Sequence, residues 1–594
     1  MSNDILTQIA ELETQIAEFP IGSIGQKQVS GKTYYYHRFK EDGKRKEKYI
    51  PENEVAALRE QIEQRKALEK QLKDLKKLAP RKKAAVKMHD FFTDVRVGDA
   101  LRSYSNAVRK YKKRSHYQRL HDYVYGNTYD RVFILFGLRR TGKTTLIRQI
   151  LADMTDTNLE KAAFIQITAK NTLADVNKDL KYLHSEGYKY VFIDEVTLMP
   201  DFIEGAAVLS DIYAAMGMKI VLSGTDSLGF LFSEDSQLYD RYYQVHTTHI
   251  PYREFEEILG IKGIDEYIRY GGTMSLSGVH YNEDSPFASK KNADEYVDSA
   301  IARNIQHSLK GYQYENHFRN LRELYEKNEL TNAINRVVED INHAFLLRVL
   351  TDEFKSHDFG RSATNLRSAG NDTLDDVDRK ALTERLKEMM EIRNTPELTV
   401  SLSEVHLKEI VQYLIKLDMI HKIAERSDQS SAVTYRLGIA QPGLRYAQAD
   451  ALAEALLMDD VFGGLPLSER NAILERVRNE IKGRMMEDIV LLETQLANPK
   501  KEVFTYHFDI GEFDMVVFDL KAASCAIYEI KHSTEVAEAQ YRHLIDEEKC
   551  KATEWRFGPI TGKNVIYRGE SCEVNGIHYL NVEEYLKGLS PIGK

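Results

Sequence analysis

Hydrophobic and polar positions follow two periods along this chain, and the places where the period changes divide it. "MSNDILTQIAELETQIAEFP" spaces its apolar residues as an acidic amphipathic helix. In "GSIGQKQVSGKTYYYHRFKEDGKRKEKYIP", two β-rich runs, Thr33 to Phe39 and Glu47 to Ile50, flank Asp42 and Gly43, a strong hairpin turn signal. Pro51 then opens a long helix in which Val55, Leu58, Ile62, Leu68, Leu72 and Leu75 fall near heptad spacing, for packing on the hairpin or on a partner helix. From Tyr129, "RVFILFG", "KAAFIQIT", "YKYVFIDEV" and "MKIVLSGT" read as short strands separated by helical patterns. That alternation predicts a parallel sheet with βαβ crossovers.

Beyond about Ser285 the pattern is mostly helical as far as Asp460, with a charged loop around "FGRSATNLRSAGND". "LTVSLSEVHLKEIVQYLIKLDMIHKIAERSDQSSAVTYRLG" gives a strand-like edge, a helix and a two-stranded tail, the pattern of a winged helix. The final segment predicts a helix in "IKGRMMEDIVLLETQLA", strands in "VFTYHFDIG", "EFDMVVFDL" and "CAIYEIKHS", and a helix in "EVAEAQYRHLI".

At 594 residues the chain exceeds one core, and about three to five domains are expected. A hydrophobic share of 42% with 29% charged residues fits a soluble globular protein. With no apolar run near the roughly 18 residues that span a bilayer and no signal-like start, a cytoplasmic protein without a membrane partner is expected. Cys525, Cys550 and Cys572 lack paired spacing, so neither a disulfide framework nor a cysteine-based zinc site is supported. The net charge of −9 hides an asymmetry: Ile21 to Leu120 holds 27 Lys and Arg against 12 Asp and Glu. Within it, "APRKKAAVK" and "RKYKKRSHYQR" interleave basic residues with Tyr104, Tyr111 and Tyr117. Such a stretch suits phosphate contacts and base stacking, or else the solvated face of a connector helix.

The sharpest chemistry lies in "GLRRTGKT", which completes G-x-x-x-x-G-K-[ST] between a strand and a helix. Gly137, Leu138, Arg139, Arg140, Thr141, Gly142, Lys143, Thr144 and Thr145 are the predicted nucleotide-binding set. Backbone N–H groups and the positive helix end cradle phosphates, Lys143 reaches the β- and γ-phosphates, and Thr144 ligates Mg²⁺. About fifty residues on, "YKYVFIDEV" ends in Asp194, expected to hold Mg²⁺ through water, and Glu195, expected to polarise the attacking water. The next strand ends in Ser223, Thr225 and Asp226, which could sense the γ-phosphate or simply cap a loop. Arg241, like Arg139 and Arg140, is a candidate nucleotide contact.

"GLRRTGKTT", "VFIDEV", "IVLSGTDS", "LYDR", "IPYREFEEI" and "YIRYGGTM", in this order, resemble the prokaryotic AAA+ ATPases whose C-terminal part carries a PD-(D/E)XK nuclease-like fold. Pro251 to Phe255, Gly271 and Gly272 match that family, whereas Asp240 replaces its usual glycine before Arg241. The basic hairpin also resembles a small N-terminal domain of mobile-element proteins and the arm-binding hairpins of integrases.

The resemblance implies a multidomain α/β chain. Residues 1–86 are a basic β-hairpin and long helix, 87–128 a basic connector, 129–275 the P-loop AAA+ parallel-sheet core, 276–395 a helical lid, 396–455 a winged helix and 456–594 the nuclease-like domain.

In that last segment, alternation places Glu529 and Lys531 on one face of a strand, with Asp514 on its antiparallel neighbour. Asp514 and Glu529 can ligate a metal while Lys531 orients water, and Glu487 on the preceding helix is the natural fourth member. The plain alternative is an amphipathic hairpin with solvent-facing charges. Gln540 and Tyr541 are secondary candidates.

Three readings follow. One is an ATP- and Mg²⁺-dependent machine that binds DNA through the basic region and winged helix and cuts it, in mobile-element or phage-defence biology. Another is a non-cleaving nucleotide-dependent switch, and the last is a chaperone-like ATPase. Self-association into a homo-oligomer is compatible with each.

Overall fold

A computed structural model describes residues 12–17, 19–29, 32–41, 44–78, 90–127, 130–199, 201–202, 206–225, 241–273, 319–355, 402–457 and 466–590. The expected turn at Asp42 and Gly43, the cluster "APRKKAAVK", Asp226, Asp240 and most of the expected lid lie outside the described residues. Residues 1–90 with 103–110 form one compact unit, and 91–102 with 111–594 a second.

In the first unit the expected hairpin is present as β2 (Lys32–Glu41) and β3 (Lys44–Ile50), with Tyr35 opposite Ile50. A further strand, β1 (Ser23–Val29), pairs antiparallel along the other edge of β2. Its polar sequence, SIGQKQV, carries no alternation to announce it. The helix Glu52–Leu78 follows Pro51 and buries Val55 and Ile62, while Arg65 donates to the carbonyls of Ile16 and Phe19 at 2.7 Å each.

Among the described residues, the second unit holds two sheets. Strands β4 (Asp94–Val97), β5 (Val132–Phe136), β6 (Ala162–Gln166), β7 (Tyr190–Asp194), β8 (Lys219–Gly224) and β9 (Tyr242–His246) lie in the order β4-β6-β7-β8-β5-β9. All pairs are parallel except the β4 edge. Parallel strands bury both faces, which is why β5 is a continuous apolar run and every residue of β8 is buried. The shared direction also puts the ends of β5, β7 and β8 on one edge.

The second sheet is mixed, in the order β11-β10-β12-β13-β14-β15-β17-β16. Its strands are β10 (Ile420–Ser427), β11 (Ser430–Ile439), β12 (Glu502–His507), β13 (Glu512–Asp519), β14 (Ser524–Lys531), β15 (Ile560–Tyr567), β16 (Cys572–Val574) and β17 (Ile577–Asn581). The helix Glu404–Lys416 and the hairpin β10–β11 lie where the winged helix was expected. That hairpin continues the C-terminal sheet, because β10 pairs in parallel with β12 from Ala424 opposite Phe504 onward. The anticipated boundary at 455 accordingly falls inside the helix Pro442–Leu457.

The helix Leu330–Lys355 joins two cores. Ile334 and Val338 pack with Leu138 and with Ile410 and Leu414 of the helix Glu404–Lys416. Phe345, Leu346 and Val349 pack instead with Tyr267, Ile481 and Met485, in the core that also takes Met515 and Ile530 of the second sheet.

Candidate functional site

Between β5 and the helix Lys143–Asp153 the chain makes the predicted loop. Gly137 has φ of +142°, and a Cβ there would sit 2.3 Å from the Thr247 carbonyl oxygen, so only glycine fits. Gly142 stands at the helix start with φ of 89°, in the left-handed region. Lys143 is buried and donates to the carbonyl oxygens of Gly137 at 2.7 Å and Leu138 at 2.8 Å. Its ammonium is thereby held inside the curl of the loop. Burial lowers its pKa to about 8, against the opposing pull of Glu195 and Asp194.

Thr144 Oγ1 donates to Asp194 Oδ2 at 2.8 Å, joining the helix start to the end of β7. Ser223 donates to the other oxygen of Asp194, and Thr225 donates to both oxygens of Glu195 at 3.1 Å. Glu195 has φ of 59°, an uncommon conformation for a non-glycine residue, immediately after a strand and against the phosphate loop. Burial and the neighbouring Asp194 raise its carboxyl pKa. Lys143, Thr144, Asp194, Glu195, Ser223 and Thr225 thus converge on one sheet edge. Thr145 is buried in the first helical turn, and Arg139 and Arg140 are exposed on the loop.

One expectation needs correction here. Arg241 does not join the nucleotide site of its own chain: its carbonyl accepts from Val132 N, at the start of β5, and its guanidinium pairs with Asp211 at 3.0 Å. Because β5 and β9 are parallel, Arg241 lies at the sheet edge opposite the loop, roughly 13 Å away at about 3.3 Å per residue. Leu138 turns its side chain into the helical core described above, leaving its backbone to the loop.

The basic stretch "RKYKKRSHYQR" also changes meaning. Arg114 is buried and donates from Nε to Glu254 at 2.5 Å, and from Nη1 to the Thr141 carbonyl at 2.7 Å and the Thr248 carbonyl at 3.2 Å. It braces the phosphate loop against Glu254 of "IPYREFEEI". Tyr117 donates to Asp153, which also pairs with Lys113. These side chains are committed to internal contacts. Sequence reasoning missed Arg114 because nothing in a run of basic residues marks the one that is buried.

Residues 129–256 match the AAA domain family. This core is an AAA domain. Residues 2–60 match a domain of unknown function, DUF6788, and no curated protein matches the chain. Among solved structures, the Orc1 protein of Aeropyrum pernix in complex with DNA aligns at 14% identity and TM-score 0.22, covering 64% of this chain and 100% of that one. Cdc6p of Pyrobaculum aerophilum aligns at 13% identity and TM-score 0.23, covering 61% and 98%. A closed-state reconstruction of Hsp104 aligns at 15% identity and TM-score 0.22, covering 34% of this chain and only 38% of that one.

Beyond the AAA domain, a cleft of about 820 Å³ gathers Glu487, Asp514, Glu529, Lys531 and Gln540. The β13–β14 register, Met515 opposite Tyr528, sets Asp514 beside Glu529. Asp514 Oδ2 accepts from Ile530 N and Lys531 Nζ, both at 2.7 Å, and Lys531 Nζ also meets Glu529 Oε2 at 2.7 Å. Burial and the adjacent Asp514 push the Glu529 carboxyl up to about 9. Against its own burial, Lys531 and the Ile530 amide hold Asp514 below the usual carboxylate range. Burial raises Glu487 to about 7, although Arg484 lies 3.2 Å away.

Glu529 Oε1 is buried without a hydrogen-bond partner, a position that a cation can fill once the carboxyl loses its proton. Among the described residues no group of three or more His, Cys, Asp or Glu is arranged to hold a metal ion. Asp265, which lies beyond the matched AAA segment, meets two residues that line this cleft, His532 at 2.7 Å and Arg568 at 3.0 Å.

Tyr541 is a second correction: it is buried in a hydrophobic cluster, and its hydroxyl accepts from Asn575. The helix expected in "EVAEAQYRHLI" is only a short turn, Glu538–Gln540, before the helix Glu547–Phe557 capped by Asp546. Apolar spacing there reflects burial of Tyr541 and Leu544 beneath a loop.

Proposed function

We propose that the chain is a Mg²⁺-dependent ATPase whose nucleotide cycle governs a C-terminal nucleic-acid-processing cleft. The Thr144–Asp194 hydrogen bond at 2.8 Å, with Lys143 and Glu195 beside it, carries the reading. Lys143 and the loop amides would take the phosphates, Thr144 and Asp194 would hold the magnesium ion, and Glu195, fixed by Thr225, would orient the attacking water. Bound magnesium neutralises charge on the phosphate oxygens.

Asp514 and Glu529, with Glu487 nearby, are the residues that would hold a metal in the cleft, and the unpartnered Glu529 Oε1 supports that fit. A metal there supplies Lewis acidity and an activated water, and Lys531 stabilises charge on a scissile phosphate. DNA is the proposed substrate, with the basic N-terminal residues as a second contact. One observation favours a non-cleaving switch instead: Lys531 already pairs with both carboxylates.

Purified protein incubated with plasmid, ATP and Mg²⁺ or Mn²⁺ distinguishes these. Phosphate release lost in Lys143→Ala together with strand breaks lost in Lys531→Ala supports the full proposal. Phosphate release without strand breaks leaves the switch, and no phosphate release refutes both.

A further inference from the structure

Lys531 is the outermost of the three charged groups at the heart of the cleft. Its side chain is 31% exposed, whereas those of Asp514 and Glu529 are 5% and 3% exposed. Its Nζ lies 2.7 Å from both Asp514 Oδ2 and Glu529 Oε2. A buried carboxylate needs a matching cation, and Lys531 is the one that the chain supplies to Asp514 while it also contacts Glu529. Against its own burial, Asp514, Glu529 and Glu487 raise the pKa of Lys531, so the group between the two acids is an ammonium ion.

An ammonium ion is only a partial substitute for a divalent one. It takes Oδ2 and Oε2 but leaves Glu529 Oε1 buried and unpartnered. Its contacts of 2.7 Å exceed the roughly 2.0–2.1 Å of magnesium–oxygen bonds, so a metal ion drawn onto the same oxygens falls in the space beside or at the amine. Two cations cannot share these oxygens at such range, because like charges a few ångströms apart repel strongly away from bulk water. The surrounding cleft, about 820 Å³, has room for the amine to swing aside.

We propose that Lys531 is an internal counter-ion that gates the cleft: it occupies the metal position between Asp514 and Glu529 and must swing out before a divalent cation can enter. The inference rests on the metal-dependent reading of the cleft and deepens it by naming what controls metal entry. Metal binding is then an exchange of one cation for another, and removing the charge of the lysine tightens it.

The test measures Mn²⁺ binding to the full chain without nucleotide by titration calorimetry, taking the isotherm lost in Asp514→Asn as that of the cleft. Lys531→Met is expected to bind Mn²⁺ about tenfold more tightly than the wild type. In parallel, the wild-type chain is acetylated with an amine-reactive ester and Lys531 is followed by mass spectrometry, with the exposed Lys551 as internal reference. Saturating Mn²⁺ is expected to speed modification of Lys531 several-fold relative to Lys551. Equal or weaker binding by a folded Lys531→Met, or a Lys531 rate that saturating Mn²⁺ leaves unchanged, overturns the gate. The labelling arm needs no variant, so it decides the matter even where Lys531→Met fails to fold. Absence of a cleft isotherm in the wild type and in Lys531→Met removes the metal from the cleft and the gate with it. Strand breaks from a wild type whose Lys531 ignores Mn²⁺ leave the nuclease reading standing without the gate. A responsive Lys531 without strand breaks leaves the gate and refutes the nuclease reading alone.

Discussion

Arg114 Nη1 donates to the carbonyl oxygen of Thr141 at 2.7 Å, tying the segment before the AAA domain to the loop that receives phosphate. The same guanidinium neutralises the buried Glu254, whose pKa falls to about 2 because Arg114 and Ser115 outweigh its burial. Arg114→Ala is expected to destabilise the domain by about 3–5 kcal/mol, since it strands a buried charge. Arg114→Lys, lacking the fork, should recover only part of that. Chemical denaturation checks both. A folded-state pKa below the unfolded value makes the pair's contribution full above about pH 4.5 and lost as pH falls toward about 2. Glu254→Gln should remove that acid dependence.

Nucleotide binding should weaken in alkali. Lys143 has a pKa of about 8 in the empty loop, so above that pH the free protein presents a neutral amine where phosphates need a cation. Binding then takes up a proton, and affinity is expected to fall by up to about tenfold per pH unit above pH 8. Calorimetric titration in buffers of different ionisation enthalpy measures the proton directly. Equal affinity at pH 7 and pH 9.5 would count against the assignment.

In the C-terminal cleft, Glu529 is protonated at neutral pH when the site is empty, because its carboxyl is raised to about 9. Metal binding must expel that proton, so Mn²⁺ affinity should rise with pH between 7 and 9. The raised folded-state value also means that ionisation in the unfolded chain, above about pH 4.5, pulls against folding. Glu529→Gln should raise the thermal midpoint at pH 7.5 by roughly 2–4 °C, about 1 kcal/mol, while abolishing metal binding. A lowered midpoint would show that the carboxylate is stabilising.

Truncation separates the basic N-terminal region from the ATPase. A chain beginning at residue 91 should keep ATP hydrolysis and lose DNA affinity, with a shallower salt dependence as Lys and Arg contacts disappear. A chain beginning at residue 121 should lose hydrolysis as well, because Arg114 leaves with it. Anisotropy across a salt series, alongside phosphate release, gives both answers.

The phosphate loop and its acid pair were legible because their chemistry is local. Backbone amides, a glycine that avoids the Thr247 carbonyl and two acids at a strand end need only fixed spacing along the chain. Asp514, Glu529 and Lys531 were legible for a related reason, since alternation on two adjacent antiparallel strands fixes which residues meet. Arg241 misled because its direction depends on β9 running parallel to β5, a pairing set across more than a hundred residues. Arg114 and Asp265 escaped notice because burial and charge matching are properties of the assembled core. The hairpin β10–β11 looked like a module of its own because sequence does not reveal that its edge pairs with β12.

Hydrolysis of ATP by the wild-type chain and by Glu195→Gln, measured as phosphate release in Mg²⁺ beside the binding affinity of each, tests the nucleotide site most directly. The account predicts that Glu195→Gln binds ATP within a few-fold of the wild type and loses at least about a hundredfold in turnover. Unchanged turnover, or a wild-type chain that releases no phosphate, would contradict it.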